Sequence, residues 1–212
     1  MPYIGCLVLL LASPTVNDLD RVVRALEARY NGLQTLKAEF VQRYQETDRA
    51  PVREEAGVLY LKKPGRMRWE YMRPETKLFV SDGKTVYFYA PEDRQVTRMP
   101  APESADLRAP LRFLLGKLNL KRSFSRVDLA KDAAPLDPGN PVLRLLPKSP
   151  QERFRELLVE VDQQSRIRRL VIYEADGSRT EFRLNGEQSN PPLNPALFHF
   201  TIPPGVEVVD ER

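Results

Sequence analysis

Residues 61–71 read LKKPGRMRWEY, and this stretch decides the fold class. After the Pro-Gly break, Met67, Trp69 and Tyr71 occupy every second position, with charged side chains between them. A period of two is the spacing of a β-strand that has one buried face and one solvated face. The buried face carries three large side chains, whereas a close-packed core more often uses compact branched ones. This strand therefore lines either a core or a container, and its periodicity leaves both open.

Further strand patterns surround this stretch. An alternation of apolar and polar residues starts at Leu36 and includes Phe40, and another covers residues 55–65 before the Pro-Gly break. Residues 77–91, KLFVSDGKTVYFYAP, predict two strands joined at Asp82-Gly83, and an Asp-Gly pair is typical of a tight hairpin. The sequence therefore predicts at least five strands in its first half.

A second meander follows in the other half of the chain. Residues 155–186 predict three strands, with another Asp-Gly turn at 176–177, and residues 196–209 predict a short closing strand that runs into a Pro-Pro-Gly turn. Repeated hairpins indicate a large antiparallel sheet, which needs closure or a cover on its apolar face. Because no linker separates the two meanders, we expect one domain.

Two segments have helical spacing. The first begins at a cap, Asn17 or Asp18, and ends near Gly32, with one apolar stripe that needs a sheet to cover. The second follows Pro110, and its leucines are Leu111, Leu114, Leu115 and Leu118. Residues 132–150 are rich in Pro and Gly, and we expect a loop there.

The charge pattern argues against a nucleic-acid-binding protein. The 212 residues include 33 Lys and Arg and 29 Asp and Glu, so the formal net charge is only +4, and no basic block stands out. Arg66 and Arg68 lie close to Trp69 and Tyr71, and a stacking platform for bases needs both types on one exposed face. The alternation places them on opposite faces, so we expect no nucleic-acid partner.

The sequence also lacks the usual signs of catalysis. His199 is the single histidine and alternates with two phenylalanines, and Cys6 is the single cysteine. Without more of either residue type, a zinc site would need carboxylates alone, which is unusual. No phosphate-binding glycine motif occurs. We therefore expect a non-enzymatic protein with no metal and no cofactor.

The N-terminal residues, MPYIGCLVLLLASPT, predict a secretory leader. The apolar run over residues 4–12 is shorter than the roughly 20 residues that span a bilayer, and small residues follow it where cleavage occurs in such leaders. No Lys or Arg precedes the run, which is a departure from the usual pattern. We expect residues 1–15 to be the leader or its remnant and residues 16–212 to be the single mature domain.

Four blocks of the sequence, in order, resemble the outer-membrane lipoprotein carrier proteins (LolA family). They are KKPGRMRWEY (62–71), VSDGKTVYFYAPEDRQV (80–96), APLRFLLGK (109–117) and FHFTIPPGVEVVDE (198–211). The resemblance implies a mainly β, α+β fold: an incomplete antiparallel β-barrel, with an N-terminal helix and short lid helices over an apolar cavity.

The resemblance also implies a function. It is that of a monomeric periplasmic chaperone that takes acylated lipoproteins from an inner-membrane ATP-driven release complex to an outer-membrane lipoprotein acceptor. The cavity wall would comprise Phe40, Met67, Trp69, Tyr71 and Phe88, and the lid would comprise Leu111, Leu114, Leu115 and Leu118. From spacing alone, the same leucines equally fit a helix that covers an ordinary core.

Two further expectations concern the lid and the partner surface, and two alternatives to the carrier function stay open. Members of the family often carry an Arg that latches the lid, and Lys63 stands at that position, which keeps the charge but loses the planar five-donor group. Arg66, Arg68 and Arg73 are expected to be exposed near the barrel rim and to dock onto an acidic partner. The alternatives are a related periplasmic lipid-binding or envelope-stress sensor protein with a different acyl cargo, and a plain protein-interaction β domain.

Overall fold

One long helix and a large sheet make up most of the molecule. The computed structural model describes residues 16–101, 117–149 and 152–211. Helix α1 (Val16–Gly32) ends at the predicted glycine, and its buried stripe includes Val23, Leu26 and Tyr30. Among the described residues, no helix has the length and apolar character needed to cross a membrane.

The described residues form twelve strands. The first six are β1 (Thr35–Gln45), β2 (Arg53–Lys62), β3 (Arg66–Arg73), β4 (Lys77–Asp82), β5 (Thr85–Ala90) and β6 (Gln95–Pro100). A short helix, α2 (Leu120–Ser123), precedes the others, which are β7 (Arg126–Leu129), β8 (Val142–Leu146), β9 (Phe154–Val161), β10 (Ile167–Glu174), β11 (Arg179–Ser189) and β12 (Glu207–Asp210).

All twelve strands belong to one open sheet. Their order is β12-β6-β5-β4-β3-β2-β1-β11-β10-β9-β8-β7, and every neighbouring pair is antiparallel except β12 with β6. The sheet has two free edges, β12 and β7, so the barrel is not closed. The strand-rich, open architecture confirms the predicted fold class, an incomplete antiparallel β-barrel.

The sheet curls around an apolar concave face, which α1 covers at one end. On β1 the buried residues Leu36, Ala38 and Phe40 alternate with more exposed ones, as the period of two predicts. The ring centroids of Trp69 on β3 and Phe182 on β11 lie 5.3 Å apart, although strands β2 and β1 lie between β3 and β11 in the sheet. Such a contact shows how strongly the sheet is curved.

Two predictions about the second half of the chain are wrong. The predicted loop over residues 132–150 contains strand β8, whose Leu143 and Leu145 are fully buried in the core. The predicted closing strand over residues 196–209 begins instead as a 3₁₀ turn, Pro195–Phe198, in which the side chain of Asn194 accepts a hydrogen bond from the Ala196 N–H. The strand itself, β12, comes after the Pro-Pro-Gly turn.

The predicted lid segment is largely outside the described residues. Leu111, Leu114 and Leu115 lie outside them, and Leu118 lies inside. Leu118 is not helical, contrary to its spacing, because it precedes Asn119, the N-cap of α2. Its side chain is 2% exposed and belongs to the main core.

Candidate functional site

The concave face carries a cluster of aromatic side chains at its centre. The Phe40 ring makes edge-to-face contacts with Trp69 and Tyr71, at centroid distances of 4.8 and 4.9 Å. Trp69 in turn contacts Phe182. Such contacts contribute about 1 kcal/mol each beyond area burial, so these rings form one cohesive unit.

A glycine makes this cluster possible. Gly57 on β2 pairs with Phe40 on one side and with Tyr71 on the other. A Cβ at position 57 would lie 1.8 Å from the carbonyl oxygen of Glu70, so no larger residue fits without a backbone shift. The Phe40 and Tyr71 rings, on the strands either side of the glycine, contact each other, while the Glu70 backbone occupies the position that a Cβ would take.

The five predicted wall residues fall on the same face of the sheet. Met67 and Trp69 pair with Leu61 and Leu59, which are equally buried, and Phe88 on β5 pairs with Phe79. The four wall residues on β1 and β3 are at most 4% exposed, and Phe88 is half-buried against the same core. The sequence pattern therefore identified side chains that the fold brings together.

Tyr30, which the sequence did not single out for a role, fixes the C-terminal end of α1 to the sheet. Its hydroxyl donates to Glu187 Oε2 on β11 at 2.7 Å and accepts a hydrogen bond from the Ile167 N–H on β10 at 2.9 Å. Arg29 also donates to the Glu187 carboxylate. Burial raises the pKa of Tyr30 well above its usual value, so the hydroxyl keeps its proton.

Lys63, the predicted latch, contacts the same end of α1. Its ammonium donates to the carbonyl oxygen of Tyr30 at 2.6 Å, and its own backbone N–H donates to Gln34 O. Partial burial lowers the pKa of Lys63. A cation is favourable at a helix C-terminus, where carbonyl groups lack partners within the helix. Any latch role for Lys63 remains a proposal.

Helix α1 also holds the backbone at the end of the predicted lid segment. The Asn31 side chain accepts from the Leu118 N–H at 2.6 Å and donates to the Leu118 carbonyl at 2.9 Å. One helical turn earlier, Glu27 accepts from the Leu120 N–H at 2.7 Å. These bonds occupy the backbone groups that a continuing helix would need, which explains why Leu118 is not helical.

The three arginines predicted to dock a partner differ in exposure. Arg73 is exposed, Arg66 is half-buried, and the side chain of Arg68 is only 19% exposed. The expectation of full exposure is wrong for Arg66 and for Arg68. Arg68 is covered because the 3₁₀ turn lies over this part of the outer face. Arg68 donates to the Leu197 carbonyl at 3.1 Å and pairs with Glu70 at 2.6 Å.

The concave face also holds buried polar groups that the sequence did not reveal. Within the described residues, four buried polar side-chain atoms lack a hydrogen-bond partner: Arg43 Nε, Trp69 Nε1, Glu174 Oε1 and Thr180 Oγ1. Arg43 is on the outer face, 3.3 Å from Glu54. Strand alternation places Glu174 with Ile172, and Thr180 with Phe182, on the concave face.

Glu174 has the most perturbed environment of these groups. Burial, with a smaller contribution from the charge of Asp176, raises the pKa of Glu174 to about 7. At neutral pH a substantial fraction of this carboxyl group is therefore protonated and can donate a hydrogen bond. In the described part of the chain, no cluster of three or more His, Cys, Asp or Glu residues is placed to hold a metal ion.

Comparison with known protein structures supports the fold. A structure from Thermus thermophilus, described as an uncharacterized conserved protein, superposes with a TM-score of 0.56 at 14% identity. The match covers 91% of this chain and 98% of the other. At such low identity this likeness concerns the fold alone.

Sequence comparison shows the family. The model described as "Outer membrane lipoprotein carrier protein LolA" matches residues 31–201. The outer-membrane lipoprotein carrier protein of Pectobacterium atrosepticum is 30% identical over 209 residues, which are 99% of this chain and 97% of that protein. The protein of the same name from Psychromonas ingrahamii is 29% identical over 177 residues, 84% of this chain and 82% of that protein. The chain belongs to the outer-membrane lipoprotein carrier protein family.

Proposed function

We propose that this protein is a periplasmic chaperone that shelters the acyl chains of lipoproteins on its concave face and carries them from the inner to the outer membrane. The observation that carries the proposal is the apolar concave face itself, built from deformable aromatic and thioether side chains in an open sheet. Family membership supports the choice of lipoproteins as cargo.

The physical need for such a carrier is large. Each methylene group that leaves water gains about 0.8 kcal/mol, so an acyl chain of about 15 methylenes gains about 12 kcal/mol. A lipoprotein with two or three chains therefore does not leave a membrane unaided. A carrier must offer comparable shelter and must release the chains to an acceptor without a chemical step of its own.

In this proposal the concave face supplies the wall. Phe40, Met67, Trp69, Tyr71 and Phe88 contact the acyl chains, and the leucines at 111, 114, 115 and 118 cover the face when it is empty. Met67 adapts easily because a thioether chain has three rotatable bonds and low torsional barriers. Aromatic rings shift as units, so the cluster around Gly57 can open while its backbone stays in place.

The open sheet suits cargo exchange. A closed barrel has a fixed circumference, whereas a sheet with two free edges can widen as chains enter. We propose that the exposed Arg73 at one end of β3 and the half-buried Arg66 at the other end face acidic surfaces of an inner-membrane ATP-driven release complex and of an outer-membrane acceptor. Arg68 contributes less, because its guanidinium is already engaged with Glu70 and Leu197.

Release of lipoprotein from spheroplasts tests this proposal. Purified protein is added to spheroplasts that make an outer-membrane lipoprotein, and the supernatant is probed for that lipoprotein after centrifugation. We expect acylated lipoprotein to appear in a one-to-one complex with the added protein. A lipoprotein whose acylated cysteine is replaced by serine serves as the control and should bind no carrier. Supernatants without acylated cargo would contradict the proposal.

A further inference from the structure

Of the four unpartnered buried polar atoms in the described residues, three share the concave face, where an apolar container would be expected to carry none. The three are Trp69 Nε1, Thr180 Oγ1 and Glu174 Oε1, and we call them the concave polar groups. Trp69 and Thr180 are 0% exposed and Glu174 is 5% exposed. A buried polar group without a partner destabilises the empty protein, so its presence on this face points to a partner that arrives with the ligand.

The concave polar groups lie along one path. The Trp69 ring contacts Phe182, which is two residues from Thr180 on β11. Thr180 pairs with Ile172 on β10, so Glu174 is its diagonal neighbour, about 7 Å away. A ligand on the concave face can therefore pass all three groups.

This path leads away from helix α1. The helix is fixed where Tyr30 meets Ile167, at the first residue of β10. Glu174 is the last residue of that strand, about 23 Å further along. The concave polar groups therefore occupy the middle and the far end of the face, where a polar head of the ligand would lie.

All three groups can act as hydrogen-bond donors. The indole Nε1–H donates only, the threonine hydroxyl donates or accepts, and a carboxyl group donates in its protonated form. The pKa of Glu174, about 7, keeps that form populated at neutral pH. The charge of Asp176 acts on Glu174 more strongly than the opposite charge of Arg153 does. An ionised fatty acid would place its carboxylate beside both carboxyl groups, so a neutral acceptor fits this end of the face better than an anion does.

We propose that the concave polar groups bind the ester carbonyl oxygens that join the acyl chains to the glyceryl-modified N-terminus of a lipoprotein. This inference rests on the proposed function and adds to it the part of the ligand that is recognised. Acyl chains supply binding energy without selectivity for their linkage, whereas carbonyl acceptors distinguish an acylated glyceryl group from a bare hydrocarbon. Thr180 is the central donor because it lies between the other two groups.

The test compares two lipopeptides that differ only in linkage. One carries two palmitoyl esters on a glyceryl-cysteine N-terminus, and the other carries two hexadecyl ethers, which lack carbonyl groups. Affinities are measured for the wild-type protein and for Thr180→Val, which replaces the hydroxyl with a methyl group of similar size. One neutral hydrogen bond to a buried group corresponds to about a tenfold change in affinity.

We expect Thr180→Val to bind the ester lipopeptide about tenfold more weakly and the ether lipopeptide unchanged. Thr180→Ser keeps the hydroxyl and should keep the preference for the ester. Thr85→Val is the matched control, because the alternation of inward-facing and outward-facing side chains along β5 places Thr85 on the outer face. Without ligand, Thr180→Val should melt at a higher temperature than the wild type, since an unpartnered hydroxyl is removed.

The possible failures are distinguishable. Equal affinity of the wild type for both lipopeptides, with no effect of Thr180→Val, would overturn the inference and leave the carrier function standing. An equal loss for both lipopeptides in Thr180→Val would also overturn it, since the effect would then be structural. If neither lipopeptide binds the wild-type protein, the proposed function fails and the inference fails with it.

Discussion

Replacing Tyr30 by phenylalanine tests how α1 is held on the sheet. The change removes one oxygen atom and keeps the ring, which is 2% exposed in the core. The Ile167 N–H loses its acceptor, and a buried unpartnered donor costs about 1–3 kcal/mol. Glu187 loses the tyrosine hydroxyl as a donor but keeps Arg29. A hydrogen bond to a charged group contributes about 1.5–3 kcal/mol, and we expect the low end of that range for this lost bond.

We therefore expect Tyr30→Phe to lower the free energy of unfolding by about 2–4 kcal/mol. For a chain of this length that corresponds to a decrease in Tm of about 6–12 °C. Urea titration followed by circular dichroism measures the change. The control is Tyr89→Phe, because Tyr89 is half-buried on the outer face of β5 against Phe200. A loss below about 0.5 kcal/mol for Tyr30→Phe would refute the reasoning, since that is the range of ordinary surface substitutions.

Three further predictions concern Gly57, Glu174 and Lys63. Gly57→Ala should destabilise the protein by about 3 kcal/mol or more, because the new Cβ meets the Glu70 carbonyl; an unchanged Tm would contradict the close approach. The pKa of Glu174 is raised in the folded state, so protonation of this carboxyl group stabilises the fold. This stabilisation is fully present below about pH 4.5 and is lost as the pH rises through about 7, by up to about 3 kcal/mol. Glu174→Gln should remove this contribution to the pH dependence of the unfolding free energy, which urea titration measures. Lys63→Ala should change lipoprotein loading and release more than Tm, with Lys62→Ala as the control, and equal losses of Tm and transfer would count against a latch.

The fold could be predicted largely from local patterns. The alternation at Met67, Trp69 and Tyr71 identifies a strand and its buried face, and Asp-Gly pairs mark two hairpins that the structure contains. The sequence pattern does not predict strand β8, because its run, VLRLL, is only five residues long and lies in a Pro-rich and Gly-rich region. Its burial comes from pairing with β9, a contact that local sequence does not reveal.

The candidate site was predictable in part, for a related reason. Periodicity gives the buried face of a strand, so the wall residues could be identified, although the same pattern fits a permanent core. The roles of Tyr30 and Asn31 depend on partners far away in the sequence, Glu187 and Leu118. A polar residue in a strand pattern gives no sign of whether its side chain finds a partner, so the concave polar groups needed the structure.

Contact between an acyl chain and Trp69 tests the central claim most directly. Trp69 is the single tryptophan of the chain and is 0% exposed on the concave face, so its fluorescence reports on that face alone. A lipopeptide with bromine atoms on its acyl chains quenches an indole only at close contact. We expect strong, saturable quenching by the brominated lipopeptide and none by the same peptide without acyl chains. Saturable binding of the brominated lipopeptide with unchanged Trp69 fluorescence would contradict it, because the acyl chains would then lie elsewhere on the protein.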